Sequence, residues 1–174
     1  MNEQLKTRVT PFYRGRRTSL VEGETSEHGS RMSIWFREPD LSAMTQSGGS
    51  TLPGVLGIEF IDHGEDWLTA RMPVNATVHQ PYGRLHGGAS VVLGETVASV
   101  GAAWTVDPAS HGCVGMEVNA NHVRPVQQGH VYCTARRETA GRTSQVWTWR
   151  IVDERDRPVC IGRITMAVID TARA

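Results

Sequence analysis

The run Arg84-Leu85-His86-Gly87-Gly88-Ala89-Ser90-Val91-Val92-Leu93-Gly94-Glu95-Thr96-Val97-Ala98-Ser99-Val100 joins a His-Gly-Gly turn to a long apolar segment that holds one acid. From Leu85 to Val106, Glu95 is the only formally charged side chain. A carboxylate among apolar neighbours costs several kcal/mol unless it is paired or partly protonated. Glu95 is therefore either an exposed acid on an otherwise buried helix or an acid with a chemical task. The His86-Gly87-Gly88 turn puts free backbone N–H groups at the positive end of a helix, where they can stabilise an oxyanion. Glu95 suits the role of general base or nucleophile, and desolvation in this setting is expected to raise its pKa. Ser99, four residues on, shares its helix face and can hold a water. Oxyanion donor, carboxylate and water holder together suit hydrolysis of an acyl compound.

Distance constrains how they can cooperate. Gly87 and Glu95 are eight residues apart on one helix, about 12 Å along its axis. One carbonyl group cannot reach both, since each contact must be within about 3 Å. If both serve one site, they come from different subunits. The expectation is an obligate homodimer with antiparallel central helices and two shared sites.

The elements that must position these residues are read from periodicity and turn signals. Pro39-Asp40 starts a short helix over 39–47, stopped by Ser47-Gly48-Gly49-Ser50. Leu56–Asp62 and Trp67–Val74 read as a hairpin about His63-Gly64-Glu65-Asp66, and 75–85 as a loop. A long helix follows from about Gly87 to Trp104. Its small residues Gly94, Ala98, Gly101, Ala102 and Ala103 suggest close approach of another backbone or a ligand, or tertiary packing that tolerates a poor helix former. Cys113–Arg124, His130–Thr139, Thr143–Asp153 and Pro158–Asp170 read as a four-strand meander. In the third of these, Val146, Thr148 and Arg150 alternate with Trp147, Trp149 and Ile151, so the tryptophans are assigned to sheet packing. The fold class is α+β: one domain in which an antiparallel sheet of about six strands wraps one long central helix. Residues 1–31 show no sustained period and are set apart as a disordered N-terminal extension, leaving 32–174 as the domain.

Composition narrows the function classes. Eighteen basic and eighteen acidic residues balance, so neither a nucleic-acid nor a membrane surface is implied. Cys113, Cys133 and Cys160 stand in no paired pattern, which fits a reducing cytoplasm rather than a disulfide framework. The first residues lack the apolar core of a signal peptide, and no apolar run is long enough to span a bilayer. His79, His86, His111 and His122 have no metal-ligand spacing, so no metal or other cofactor is expected. Ser90 and Ser99 lack the strand-turn-helix setting of a serine hydrolase.

The run Gln80-Pro81-Tyr82-Gly83-Arg84-Leu85-His86-Gly87-Gly88 through Glu95 resembles hotdog-fold acyl-CoA thioesterases of the PaaI-like type. The resemblance is strongest to hydrolases of 1,4-dihydroxy-2-naphthoyl-CoA and proofreading thioesterases of enterobactin synthesis. Val114-Gly115-Met116-Glu117-Val118-Asn119-Ala120-Asn121-His122-Val123-Arg124, Gln145-Val146-Trp147 and Arg163-Ile164-Thr165 extend it over roughly 33–170. It implies that Gln80 and His86 orient and polarise the thioester while the Gly87 N–H binds the oxyanion. Glu95 of the facing subunit would attack the carbonyl or activate water, and Ser99 would position that water or Glu95. His122 and Arg124 would lie near the nucleotide and phosphates of CoA, with Val114 and Gly115 along the pantetheine path. Val123 stands where some relatives carry a second His, and Tyr82 where Phe is usual. The implied substrate is an aromatic acyl-CoA (hydroxybenzoyl, phenylacetyl or dihydroxynaphthoyl) and the implied assembly a homotetramer. The alternative is a non-catalytic hotdog module that binds acyl-CoA or regulates a partner. A hotdog dehydratase would need a different His-plus-acid arrangement, which is not found.

Overall fold

The computed structural model describes residues 33–173; the extension expected over 1–31 lies outside them. In chain order, α1 (Leu41–Ser47) and α2 (Leu52–Val55) precede the strands β1 (Glu59–His63) and β2 (Trp67–Val74). A 3₁₀ turn (Ala76–Val78) and the two-residue strands β3 (His79–Gln80) and β4 (Arg84–Leu85) lead into α3 (Gly87–Trp104). The strands β5 (His111–His122), β6 (Gly129–Ala140), β7 (Ser144–Asp153) and β8 (Pro158–Asp170) follow. One six-stranded sheet runs in the order β1-β2-β6-β7-β8-β5, and every neighbouring pair is antiparallel.

The last four strands are not a simple meander. β6, β7 and β8 pair in sequence, but β5 pairs with β8 at the far edge and β6 pairs with β2. The cause is α3. Its 18 residues give about 27 Å of length, enough to cross the four strand spacings of about 4.8 Å between β2 and β5. The chain leaves β2, crosses the sheet face as α3, and enters β5 on the opposite side.

Two further expectations are corrected. The first strand begins at Glu59 rather than Leu56, because the preceding residues form α2. Pro53 lies in the first turn of α2, where its fixed φ suits a helix start. Gly57 then turns the chain at φ +68°. The loop 75–85 is a structured hairpin.

α3 buries Ala89, Ser90, Leu93, Gly94, Val97, Ala98, Gly101 and Ala102 against the sheet. Its glycines receive the β7 tryptophans. A Cβ at Gly94 would lie 2.3 Å from the Trp149 ring, and one at Gly101 would lie 2.9 Å from Trp147. Gly162 closes on the other side of Trp149, where a Cβ would come within 2.2 Å of the ring. Alanine in place of a mid-helix glycine gains about 1 kcal/mol, but overpacking a rigid buried ring costs about 1–3 kcal/mol or more. With the ring held on both sides, the cost wins. Gly94→Ala is expected to lower the melting temperature by about 5 °C or more; thermal unfolding that is unchanged or shifted upward would refute this packing account.

Both ends of α3 are tied down. At its start, the Leu85 N–H donates to the Val126 carbonyl and the His86 N–H to the Val78 carbonyl, each at 2.8 Å. At its end, the buried Gln145 donates from Nε2 to Thr105 Oγ1 at 2.8 Å and accepts from Trp147 Nε1 at 2.9 Å. A buried carboxamide with both ends bonded is a fixed strut rather than a liability.

Candidate active site

The hairpin before α3 presets two side chains. Gly83, at φ +70°, makes the turn, and its N–H donates to the Gln80 carbonyl at 3.0 Å. Gln80 pairs with Arg84, and its side-chain Oε1 accepts from the Tyr82 N–H. With the oxygen so occupied, the Gln80 NH2 is left as the outward donor. His86 caps α3: its Nδ1 accepts from the Gly88 N–H at 2.8 Å. An accepting Nδ1 places the proton of the neutral ring on Nε2, which is then a free donor on an exposed side chain.

Gly87 opens the helix, and its N–H has no acceptor among the described residues. No acid lies in the first turn, so the positive end of the dipole is not offset there. The end of β5 returns to this point. An ideal Cβ on Gly87 would lie 2.8 Å from His122 Nε2 and 3.1 Å from its Cε1, so the His122 ring stands over the helix start.

Glu95 sits in the middle of α3. An ideal Cβ on Gly115 would lie 3.2 Å from Glu95 Oε1. A glycine inside a strand marks such a close approach, and here it makes room for the carboxylate. Gly115 pairs with Met166 across to β8, and Ser99 Oγ donates to Met166 Sδ at 3.7 Å. Glu95, Ser99 and Gly115 therefore form one cluster. A bulge between Gly115 and Glu117 bends β5 at this point.

Each chain thus carries two clusters: Gln80, His86, Gly87 and His122 at the helix start, and Glu95, Ser99 and Gly115 at its middle. Gly115, expected along a pantetheine path, stands against the Glu95 carboxylate. His122, expected near a nucleotide, stands beside Gly87. Val114 is exposed and, by strand alternation, faces the opposite side of the sheet from Gly115. Arg124 is exposed beyond the end of β5 and joins neither cluster.

The Glu95 side chain is half-buried, on the flank of α3 that meets Gly115 of β5 and, through Ser99, Met166 of β8. Beside that flank runs the edge strand β5, whose other edge has no partner strand among the described residues. It exposes Val114 (47%), Met116 (66%) and Val118 (38%).

A polar groove of about 470 Å³ lies next to the hairpin, with Arg84, His130, Arg155 and Arg157 among its lining residues. Arg157 is paired with Asp153 at 2.7 Å. Burial alone would raise the Asp153 pKa, but bonds from the Arg157 side chain and from the backbone of Arg157 and Arg155 outweigh it and lower it. Among the described residues no group of three His, Cys, Asp or Glu side chains could hold a metal ion, and no helix is long and apolar enough to cross a membrane.

Residues 82–160 match the family model described as the thioesterase superfamily. A solved thioesterase of Pseudomonas aeruginosa, crystallised with a Gln→Ala substitution, is 43% identical with a TM-score of 0.78, covering 79% of this chain and 99% of that one. The 1,4-dihydroxy-2-naphthoyl-CoA hydrolase of Escherichia coli is 41% identical over 136 residues, 78% of this chain and 99% of that protein. A thioesterase of Staphylococcus aureus is 32% identical with a TM-score of 0.66, covering 67% of this chain and 97% of that one. That protein has been solved with a Gln→Ala and with a Glu→Ala substitution, at two positions separated by the same interval as Gln80 and Glu95.

Proposed function

The chain belongs to the thioesterase superfamily, with its hotdog fold and thioester hydrolase activity, and on that premise we propose that it hydrolyses aromatic acyl-CoA to the free acid and CoA at sites shared between two subunits. The observation that carries this reading is the separation of the two clusters on α3. The donors at the helix start lie about 12 Å along α3 from Glu95 of the same chain, and the Glu95 side chain is only half-buried.

In the proposed site, the thioester oxygen accepts from the Gly87 N–H, with the Gln80 NH2 and His86 Nε2–H polarising the carbonyl. Glu95 of the facing subunit attacks the carbonyl carbon or takes a proton from the attacking water. Ser99 positions that water. The C–S bond then breaks and CoA leaves as the thiolate; where Glu95 attacks the carbonyl itself, water then hydrolyses the glutamyl anhydride to the free acid and restores the carboxylate. The two positions substituted in the Staphylococcus aureus protein support pairing Gln80 with Glu95 in one site.

The exposed apolar residues of β5 support a homodimer as the smallest active unit, and a dimer of dimers would give the homotetramer. The polar groove and Arg124 supply cationic and hydrogen-bonding groups that suit CoA phosphates. Three free cysteines suit a reducing cytoplasm. The hotdog domain is assigned to 32–174, with 1–31 as an extension.

The test is release of free thiol from benzoyl-, phenylacetyl- and 1,4-dihydroxy-2-naphthoyl-CoA beside acetyl- and octanoyl-CoA. The expected result is turnover of the aromatic thioesters with kcat/KM about tenfold or more above the aliphatic ones, the scale of discrimination an apolar pocket supplies. Binding of acyl-CoA without thiol release from any of them would favour the non-catalytic module. Label from oxygen-18 water found in the enzyme carboxyl after a single turnover would assign Glu95 as nucleophile, through an anhydride hydrolysed at the enzyme carbonyl.

A further inference from the structure

We infer that His122 is a catalytic residue of this site: its Nε2–H donates to the thioester oxygen together with the Gly87 N–H of the same subunit. This rests on the thioesterase reading above and extends it. The ring is directed at the helix start, with Nε2 its nearest atom to the Gly87 Cβ position, at 2.8 Å. Backbone nitrogen and Cβ of one residue lie about 2.5 Å apart, so Gly87 N and His122 Nε2 are separated by at most about 5.3 Å. One oxygen at about 2.9 Å from each nitrogen can then accept from both. No described residue accepts from or donates to the His122 ring, so its donor capacity is unspent.

The backbone that carries the ring is pinned. His122 pairs with Cys160 at the end of β5, and the N–H groups of the two following residues, Val123 and Arg124, both donate to the Val159 carbonyl, at 2.9 and 3.3 Å. The side chain itself is exposed at the surface, so a substrate can reach it. The glycine at 87 has a second reason to be glycine, since any side chain there would strike the donor ring.

The competing role for His122 is a contact to the CoA nucleotide, and the two roles are separable. His122→Ala and His122→Gln would be assayed on benzoyl-CoA and on benzoyl-pantetheine, which lacks the nucleotide. The expected result is a fall in kcat of about 10²-fold for His122→Ala on both thioesters. His122→Gln, which keeps a donor, should recover part of it, and KM should change little. A loss confined to benzoyl-CoA and carried by KM would overturn the inference in favour of a nucleotide contact. An unimpaired His122→Ala beside an active wild type would overturn it outright. Wild-type protein inactive on both thioesters would overturn the underlying thioesterase reading instead.

Discussion

Glu95→Gln is expected to lower kcat by about 10²–10⁴-fold while leaving the fold and melting temperature nearly unchanged. The substitution keeps the shape of the side chain and its contact with Gly115. Gln and Glu have nearly equal helix propensity, and the side chain is half-buried rather than enclosed. What is lost is the lone acid that can act as base or nucleophile in the middle of α3. The carboxamide can still hold a water, but it cannot take its proton. The residual rate expected is that of acid-free turnover, which the proposed oxyanion donors at the helix start would support without a base. Near-normal turnover of the best thioester by Glu95→Gln would remove Glu95 from the chemistry. A large fall in melting temperature would recast it as a structural acid.

How far the sequence reveals this site depends on whether the signal is local. α3 runs over the residues its pattern indicates, because a turn, a long apolar run and the charged loop beyond Thr105 are all contiguous. The burial of Trp147 and Trp149 follows from two-residue alternation on one strand. The rest depends on distant pairing. Nothing near His122 announces that β5 joins β8 at the sheet edge and so returns beneath Gly87. Nothing near Gly115 announces Glu95, although a glycine within a strand is a hint of close approach. The four-residue α2 is too short for periodicity to register, and only Pro53 and Gly57 betray it. The exposure of Glu95 is a fact about which flank of α3 meets the sheet. That flank is chosen by where the glycines admit the two tryptophans, a match between segments some fifty residues apart.

The same geometry yields a result that no single-chain site can produce. His86→Ala removes the helix cap and the Nε2 donor at the helix start, and Glu95→Ala removes the acid at the middle. Each homodimer is expected to be nearly inactive. In an equal mixture allowed to exchange subunits, half of the dimers pair one variant with the other. Each mixed dimer has one site with both defects and one with neither, so the mixture should recover about one quarter of wild-type activity. The magnitude follows from reach. A carbonyl bound by a donor at its oxygen and attacked at its carbon spans about 7 Å at most, whereas Gly87 and Glu95 of one chain are about 12 Å apart along α3. Loss of the cap costs about 1 kcal/mol, too little to prevent the His86→Ala subunit from folding, so the mixture tests geometry and not stability. If verified subunit exchange leaves the mixture as inactive as its parents, the shared site is wrong. Glu95 would then have to act with donors of its own chain that lie nearer the middle of the helix.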